Sequence, residues 1–149
     1  MVREASHLRP IPDKSVDELE GYAPRSSVST KLIDDVLAAR KIPLAQLTPA
    51  QIRLLISQRQ GTKYLVPFAF ALLEKQPWIE ADFYPGDLLA LVARLDPGFW
   101  PPGKEWRNRF LELFKSALSI APSLDEDTRN TTVEGEVRDA IARIGAPAA

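Results

Sequence analysis

Residues 48–76 read TPAQIRLLISQRQGTKYLVPFAFALLEKQ, and the recurrence of apolar side chains in this stretch decides the fold class. Thr48-Pro49 has the form of a helix start. A hydroxyl accepts from the free N–H groups, and proline's missing donor is harmless in the first turn. Ile52, Leu55 and Ile56 then form a stripe with Leu54 beside it, while Gln51, Arg53, Gln58 and Arg59 face outward. Gly61 reads as the C-terminal cap. Over 62–76, Leu65, Val66, Phe68, Ala69, Phe70, Leu72 and Leu73 cover most of the helix circumference, the pattern of a helix at the centre of a bundle. Pro67 sits near the first turns, where a lost hydrogen bond costs least, and Pro77 ends the segment.

The flanking sequence repeats this logic. Leu32, Ile33, Val36 and Leu37 predict a helix from Thr30 to Arg40 that Pro43 stops. Leu88, Leu89, Leu91, Val92 and Leu95 predict one over 85–95, broken by Asp96-Pro97-Gly98. Trp106, Phe110, Leu113, Phe114, Ala117 and Leu118 recur at threes and fours over 104–120, and Pro122 follows. Thr131 and Glu134 have capping-box spacing before Val133, Val137, Ile141 and Ile144, with Gly145 behind them. Ser15 and Glu18 show the same spacing before a short helix over 16–20 that Gly21 ends. No run alternates apolar and polar between hairpin turns, so no strand is expected. The expectation is all-α: a single compact bundle of about six or seven helices. Residues 1–28 form an irregular N-terminal arm with one short helix, and 29–149 form the helical domain.

The chain has 149 residues, the size of one domain. It is 45% hydrophobic and 26% charged, ordinary for a soluble globular protein. Nineteen bases against twenty acids give a net charge of −1, which argues against direct nucleic-acid binding. No cysteine is present, so disulfides, thiolate nucleophiles and Cys-ligated metals are excluded. The single histidine, His7, reads as exposed and leaves no materials for a serine–histidine triad or a multi-histidine metal centre. No cofactor or metal is expected. The first thirty residues lack an apolar signal core, and residues 64–73, the longest strongly apolar run, are about half of a membrane span. The expected protein is soluble, with no membrane partner.

Two segments are acidic. Over 74–96, Glu74, Glu80, Asp82, Asp87 and Asp96 face two bases; over 125–139, Asp125, Glu126, Asp127, Glu134, Glu136 and Asp139 face Arg129 and Arg138. Either segment suits a basic partner. Glu80, Asp82 and Asp87 are also the chain's candidates for carboxylate catalysis or a divalent cation, although the spacing of a calcium loop is missing. The simpler role is structural, with Asp87 complementing a helix dipole and Asp82 or Gly86 serving the turn before it. Trp106 reads as core. Trp78 and Trp100, beside prolines, read as plugs between helices or as interface anchors. A helix-turn-helix reading of 48–76 fails, because the second helix offers no polar readers.

The order of four motifs goes further. Ser15-Val16-Asp17-Glu18-Leu19-Glu20-Gly21, Leu47-Thr48-Pro49-Ala50-Gln51-Ile52-Arg53-Leu54-Leu55-Ile56-Ser57-Gln58, Tyr64-Leu65-Val66-Pro67-Phe68-Ala69 and Asp82-Phe83-Tyr84-Pro85-Gly86-Asp87-Leu88-Leu89 together resemble the helical family of contact-dependent growth inhibition (CDI) immunity proteins. The resemblance runs from about Ser15 to Trp100, and departs from the family pattern at Ser57 and at Glu80-Ala81-Asp82. It implies a cytoplasmic, non-enzymatic antidote whose partner is the cognate toxin domain of a CDI effector, a toxin that is frequently a nuclease with a basic groove. The expected toxin-binding residues, chosen from the acidic segments and their aromatics, are Trp78, Glu80, Asp82, Tyr84, Asp87, Asp96, Trp100, Asp125, Glu126 and Asp127. The alternatives are a helical adaptor for an unrelated partner and a carboxylate enzyme.

Overall fold

The computed structural model describes residues 13–100 and 103–145. Within them the chain forms seven α-helices: α1 (Val16–Glu20), α2 (Lys31–Ala39), α3 (Pro49–Ser57), α4 (Thr62–Lys75), α5 (Asp87–Arg94), α6 (Lys104–Ile120) and α7 (Thr131–Gly145). Short 3₁₀ turns lie at Leu44–Gln46, Pro97–Phe99 and Ala121–Ser123. No strand occurs among the described residues; an isolated bridge joins Glu80 to Pro85. The all-α expectation holds, while His7 lies outside the described residues.

α4 is the hub. It packs on α3, α5 and α6, and Leu65, Val66, Ala69 and Leu73 are completely buried along it. α7 closes the bundle across α5 and α6, where Val137, Leu89 and Phe114 meet the same core. Each such Val, Leu or Phe side chain removed from water contributes about 1.5–3 kcal/mol. An aromatic stack runs through one side: Trp100 lies parallel to Phe110 at 4.6 Å, and Phe70 meets both Trp106 (5.3 Å) and Phe110 (5.2 Å) edge-on. Trp78 is a plug. It is buried, and its indole N–H donates to the carbonyl of Ala117 at 3.0 Å.

Local signals predicted most helix ends, and three differ. The helix expected over 85–95 starts at Asp87, because Gly86 holds φ 87°, outside the helical region, and Pro85 bridges to Glu80. Gly61 does not cap α3. That end is a Schellman motif in which Arg59 adopts φ 55°, Arg59 N–H donates to Ile56 and Gln60 N–H to Leu55. Gly61 instead precedes α4 at φ 66°. For α7, Asn130 rather than Thr131 supplies the cap, accepting from Val133 N–H at 3.1 Å, while Glu134 turns to Arg129 at 2.9 Å. The boxes at Ser15/Glu18 and Thr48/Gln51 form reciprocally as expected.

The N-terminal helix is docked on the body. Arg40, only 1% exposed, donates to Asp17 at 2.7 Å, Glu20 at 2.5 Å and Gln60 at 2.8 Å, and its carbonyl accepts from Asp17 N–H at 3.0 Å. Val16 is fully buried over Gly61, where an added Cβ would sit 2.7 Å from Val16 Cγ1. Gly61→Ala is therefore expected to cost about 2 kcal/mol, from the positive φ and the collision together. The cost should shrink in a Val16→Ala background, which removes both colliding methyls. Equal costs in the two backgrounds, measured by urea unfolding, would dismiss the contact.

Candidate functional site

The loop at residues 79–86 is built around one carboxylate. Asp87 is 0% exposed, and its two oxygens accept four backbone N–H groups: Ala81 (2.8 Å), Asp82 (2.9 Å), Phe83 (2.8 Å) and Leu88 (2.8 Å). Arg53 Nε stands 3.4 Å from Oδ2, an ion pair without hydrogen-bond alignment. Burial pushes the Asp87 carboxyl upward, but the amides of Phe83, Ala81 and Asp82 and the charge of Arg53 outweigh it and hold the pKa below the ordinary value. A group so ligated has no free lone pair for a substrate proton or a metal. Asp87 is thus the structural anchor of the loop, and the carboxylate-enzyme alternative loses one of its three residues.

The anchored loop turns its side chains outward. Phe83 is 67% exposed and rests one face on the Arg53 guanidinium, 4.7 Å from the ring centroid. Glu80 and Asp82 are exposed and Tyr84 is half-buried. At the base of the loop, a side chain on Gly86 would meet Trp78 at 2.8 Å and Val133 at 3.5 Å, so the loop abuts the first turn of α7. Asp125, Glu126 and Asp127, also exposed, lie in the connection leading into that helix. Asp125 closes its own turn by accepting from Thr128 N–H at 2.9 Å, and hydrogen bonds from the Thr128 hydroxyl first and its N–H second lower the Asp125 pKa.

The other expected residues lie elsewhere. Asp96 and Trp100 follow the far end of α5, about 12 Å of helix from the loop. Asp96 accepts from Gly98 N–H at 2.9 Å, and Trp100 stacks on Phe110. Asp87 is fully buried, and Trp78 is buried with 7% of its surface exposed. The second acidic segment is also weaker than its sequence suggests. Glu134 is buried, and its pKa is lowered chiefly by the hydrogen bonds from Arg129, against burial, with Arg138 assisting. Glu136 pairs with Arg94 at 3.1 Å. Sequence reasoning passed over Phe83 in favour of its neighbours Trp78 and Tyr84, because aromatic composition alone does not say which ring a loop turns outward.

Among the described residues no group of three or more His, Cys, Asp or Glu is placed to hold a metal ion, and no helix is long and apolar enough to cross a membrane. The family model of CDI immunity proteins matches residues 18–110, more than half of the chain. The chain belongs to the CDI immunity protein family. The match takes in α2 to α5, the anchored loop and the start of α6, and it contains the motifs from Thr48 to Leu89 that carry the resemblance. No curated protein matches the chain. As a CDI immunity protein it is the counterpart of a CDI toxin. The acidic connection at 125–127 and the whole of α7 lie beyond the family match.

Proposed function

We propose that this immunity protein neutralises the toxin domain of its CDI effector by stoichiometric binding in the cytoplasm, without catalysis, and that the loop at 79–86 stands at the centre of the contact. The observation that carries this reading is the combination in one place of an exposed aromatic and a backbone already fixed. Phe83 is 67% exposed on a loop whose amides are held by a buried carboxylate. A preordered aromatic loses little freedom on binding, and such residues supply most of the energy in protein interfaces. Glu80 and Asp82 beside it give the loop a negative rim. That sign suits a nuclease toxin, whose substrate groove must be basic, and it accelerates capture of the toxin before it damages the cell.

Co-expression with the toxin domain encoded beside it should keep cells alive, and the purified pair should bind tightly. Death of the cells together with no binding at micromolar concentration refutes the reading. Phe83→Ala is expected to weaken binding about 10–100-fold with only a small fall in melting temperature, because the ring is 67% exposed and its inner face covers the Arg53 guanidinium. Phe83→Trp should retain most of the affinity. Wild-type affinity for Phe83→Ala in titration calorimetry would remove the loop from the contact.

A further inference from the structure

Between α4 and α6 runs an open trough of about 670 Å³. Its floor is apolar: Phe70 and Leu113 are almost fully buried beneath it. Arg109 is laid flat on that floor, its guanidinium 4.6 Å from the ring centroids of both Phe70 and Trp106. The rim carries Glu74, Glu105 and Glu112, all exposed. Arg109 stands 3.7 Å from Glu74, and the lining sets three carboxylates against this one guanidinium. The exposed Lys75 and Lys115, beside it in sequence, do not line it.

We infer that this trough seats a basic segment of the toxin domain, as a second contact beside the anchored loop. This rests on the reading of the protein as a toxin binder. The trough follows α6 from Glu105 to Ser116, about 16 Å, which matches about five residues of extended chain. Glu105 and Glu112 lie two helical turns apart, about 10 Å, so they take two Arg or Lys residues whose stems lie along the trough between them. Arginine suits both requirements, since its stem covers apolar surface while its head reaches a carboxylate. The trough adjoins the loop through the chain itself, because Pro77 lines it and the loop begins two residues later. One toxin domain can therefore cover both.

The test uses the full chain and the toxin domain encoded beside it. Glu105→Lys combined with Glu112→Lys is expected to raise Kd about 100-fold or more and to slow association, with only a small fall in melting temperature from the loss of an acid in the first turn of α6. The same charge change at two exposed acids elsewhere, Asp13→Lys with Asp139→Lys, should leave Kd within about threefold. The chain has no cysteine, so Asn108→Cys within the trough and Ala38→Cys on α2 each give one reporter thiol. Bound toxin should protect Cys at 108 from a maleimide and leave Cys at 38 reactive. Near-wild-type affinity of the double lysine variant, a reactive thiol at 108 in the complex, or protection by a second copy of this chain without toxin overturns the trough proposal. Failure of the wild-type chain to bind toxin overturns the reading of function instead, and is seen before any trough variant is made.

Discussion

Replacing Asp87 with asparagine is expected to destabilise the protein by about 3–5 kcal/mol, a large share of the roughly 5–15 kcal/mol that holds a domain of this size together. The carboxylate accepts from Ala81, Asp82, Phe83 and Leu88 at 2.8–2.9 Å and faces Arg53. An asparagine offers one oxygen, and its amide N–H groups point at donors. Alanine should cost a similar amount by leaving every amide without its acceptor. The penalty stays below the sum of four orphaned N–H groups because water reaches part of the loop. The melting temperature should fall by roughly 10 °C at 2–4 °C per kcal/mol. Amide exchange at residues 81–83 should accelerate before exchange in α4 does.

Acid supplies an independent check. The folded-state pKa of Asp87 lies below the ordinary carboxylate value of about 3.9. The stability it confers is therefore present above about pH 4 and is lost as pH falls through the lower, folded-state pKa. The gap between wild type and Asp87→Asn should be constant near neutrality and close only in strong acid. A gap independent of pH down to full acid unfolding would mean that the ionised form is not what holds the loop.

Arg40→Ala is the second large effect, expected at about 3–4 kcal/mol. Its guanidinium is buried and satisfied by Asp17, Glu20 and Gln60, so removal opens a cavity and leaves two neighbouring carboxylates facing one another. Burial lowers its pKa, but hydrogen bonds and charge from Glu20 and Asp17 outweigh that and raise it, so the group stays charged across the accessible range. Arg40→Lys should lose about 2 kcal/mol, since one ammonium cannot span three acceptors placed for a planar fork. Arg40→Met together with Asp17→Asn and Glu20→Gln should recover much of the loss, because it fills the cavity and removes the two carboxylates left without their cation. If α1 detaches while the rest stays folded, the urea m-value will also fall. A loss below 1 kcal/mol for Arg40→Ala would show that α1 is held instead by Val16 and by the Tyr64 hydroxyl, which donates to the Leu19 carbonyl at 3.4 Å.

Most helices were legible because they write their burial into a period of three and four; α2 is the exception, with Leu32 exposed and Ile33, Val36 and Leu37 only half-buried. Trp106, Phe110, Leu113, Phe114 and Ala117 are predicted as one face and are one face. What escaped the sequence depends on contacts distant along the chain. Arg40 reads as an outward base at the end of a helix, and only the return of α1 across Gly61 makes it internal. Asp87 reads as a helix-dipole charge, and only the path of residues 81–83 turns it into an anchor. The acidic segment at 125–139 was counted in sequence as exposed charge, whereas the fold spends Glu134 on Arg129 and Arg138 and Glu136 on Arg94. Trp78 and Tyr84 had the composition of interface residues, but Phe83 between them took the outward position.

The Asp87 anchor grips main-chain amides, which every residue type except proline supplies. The loop therefore keeps its course when the exposed positions 82 and 83 change to any residue but proline, whereas Ala81 is half-buried against the core. Lineages that share this scaffold can reassort the outward residues against rival poisons while the buried aspartate stays put.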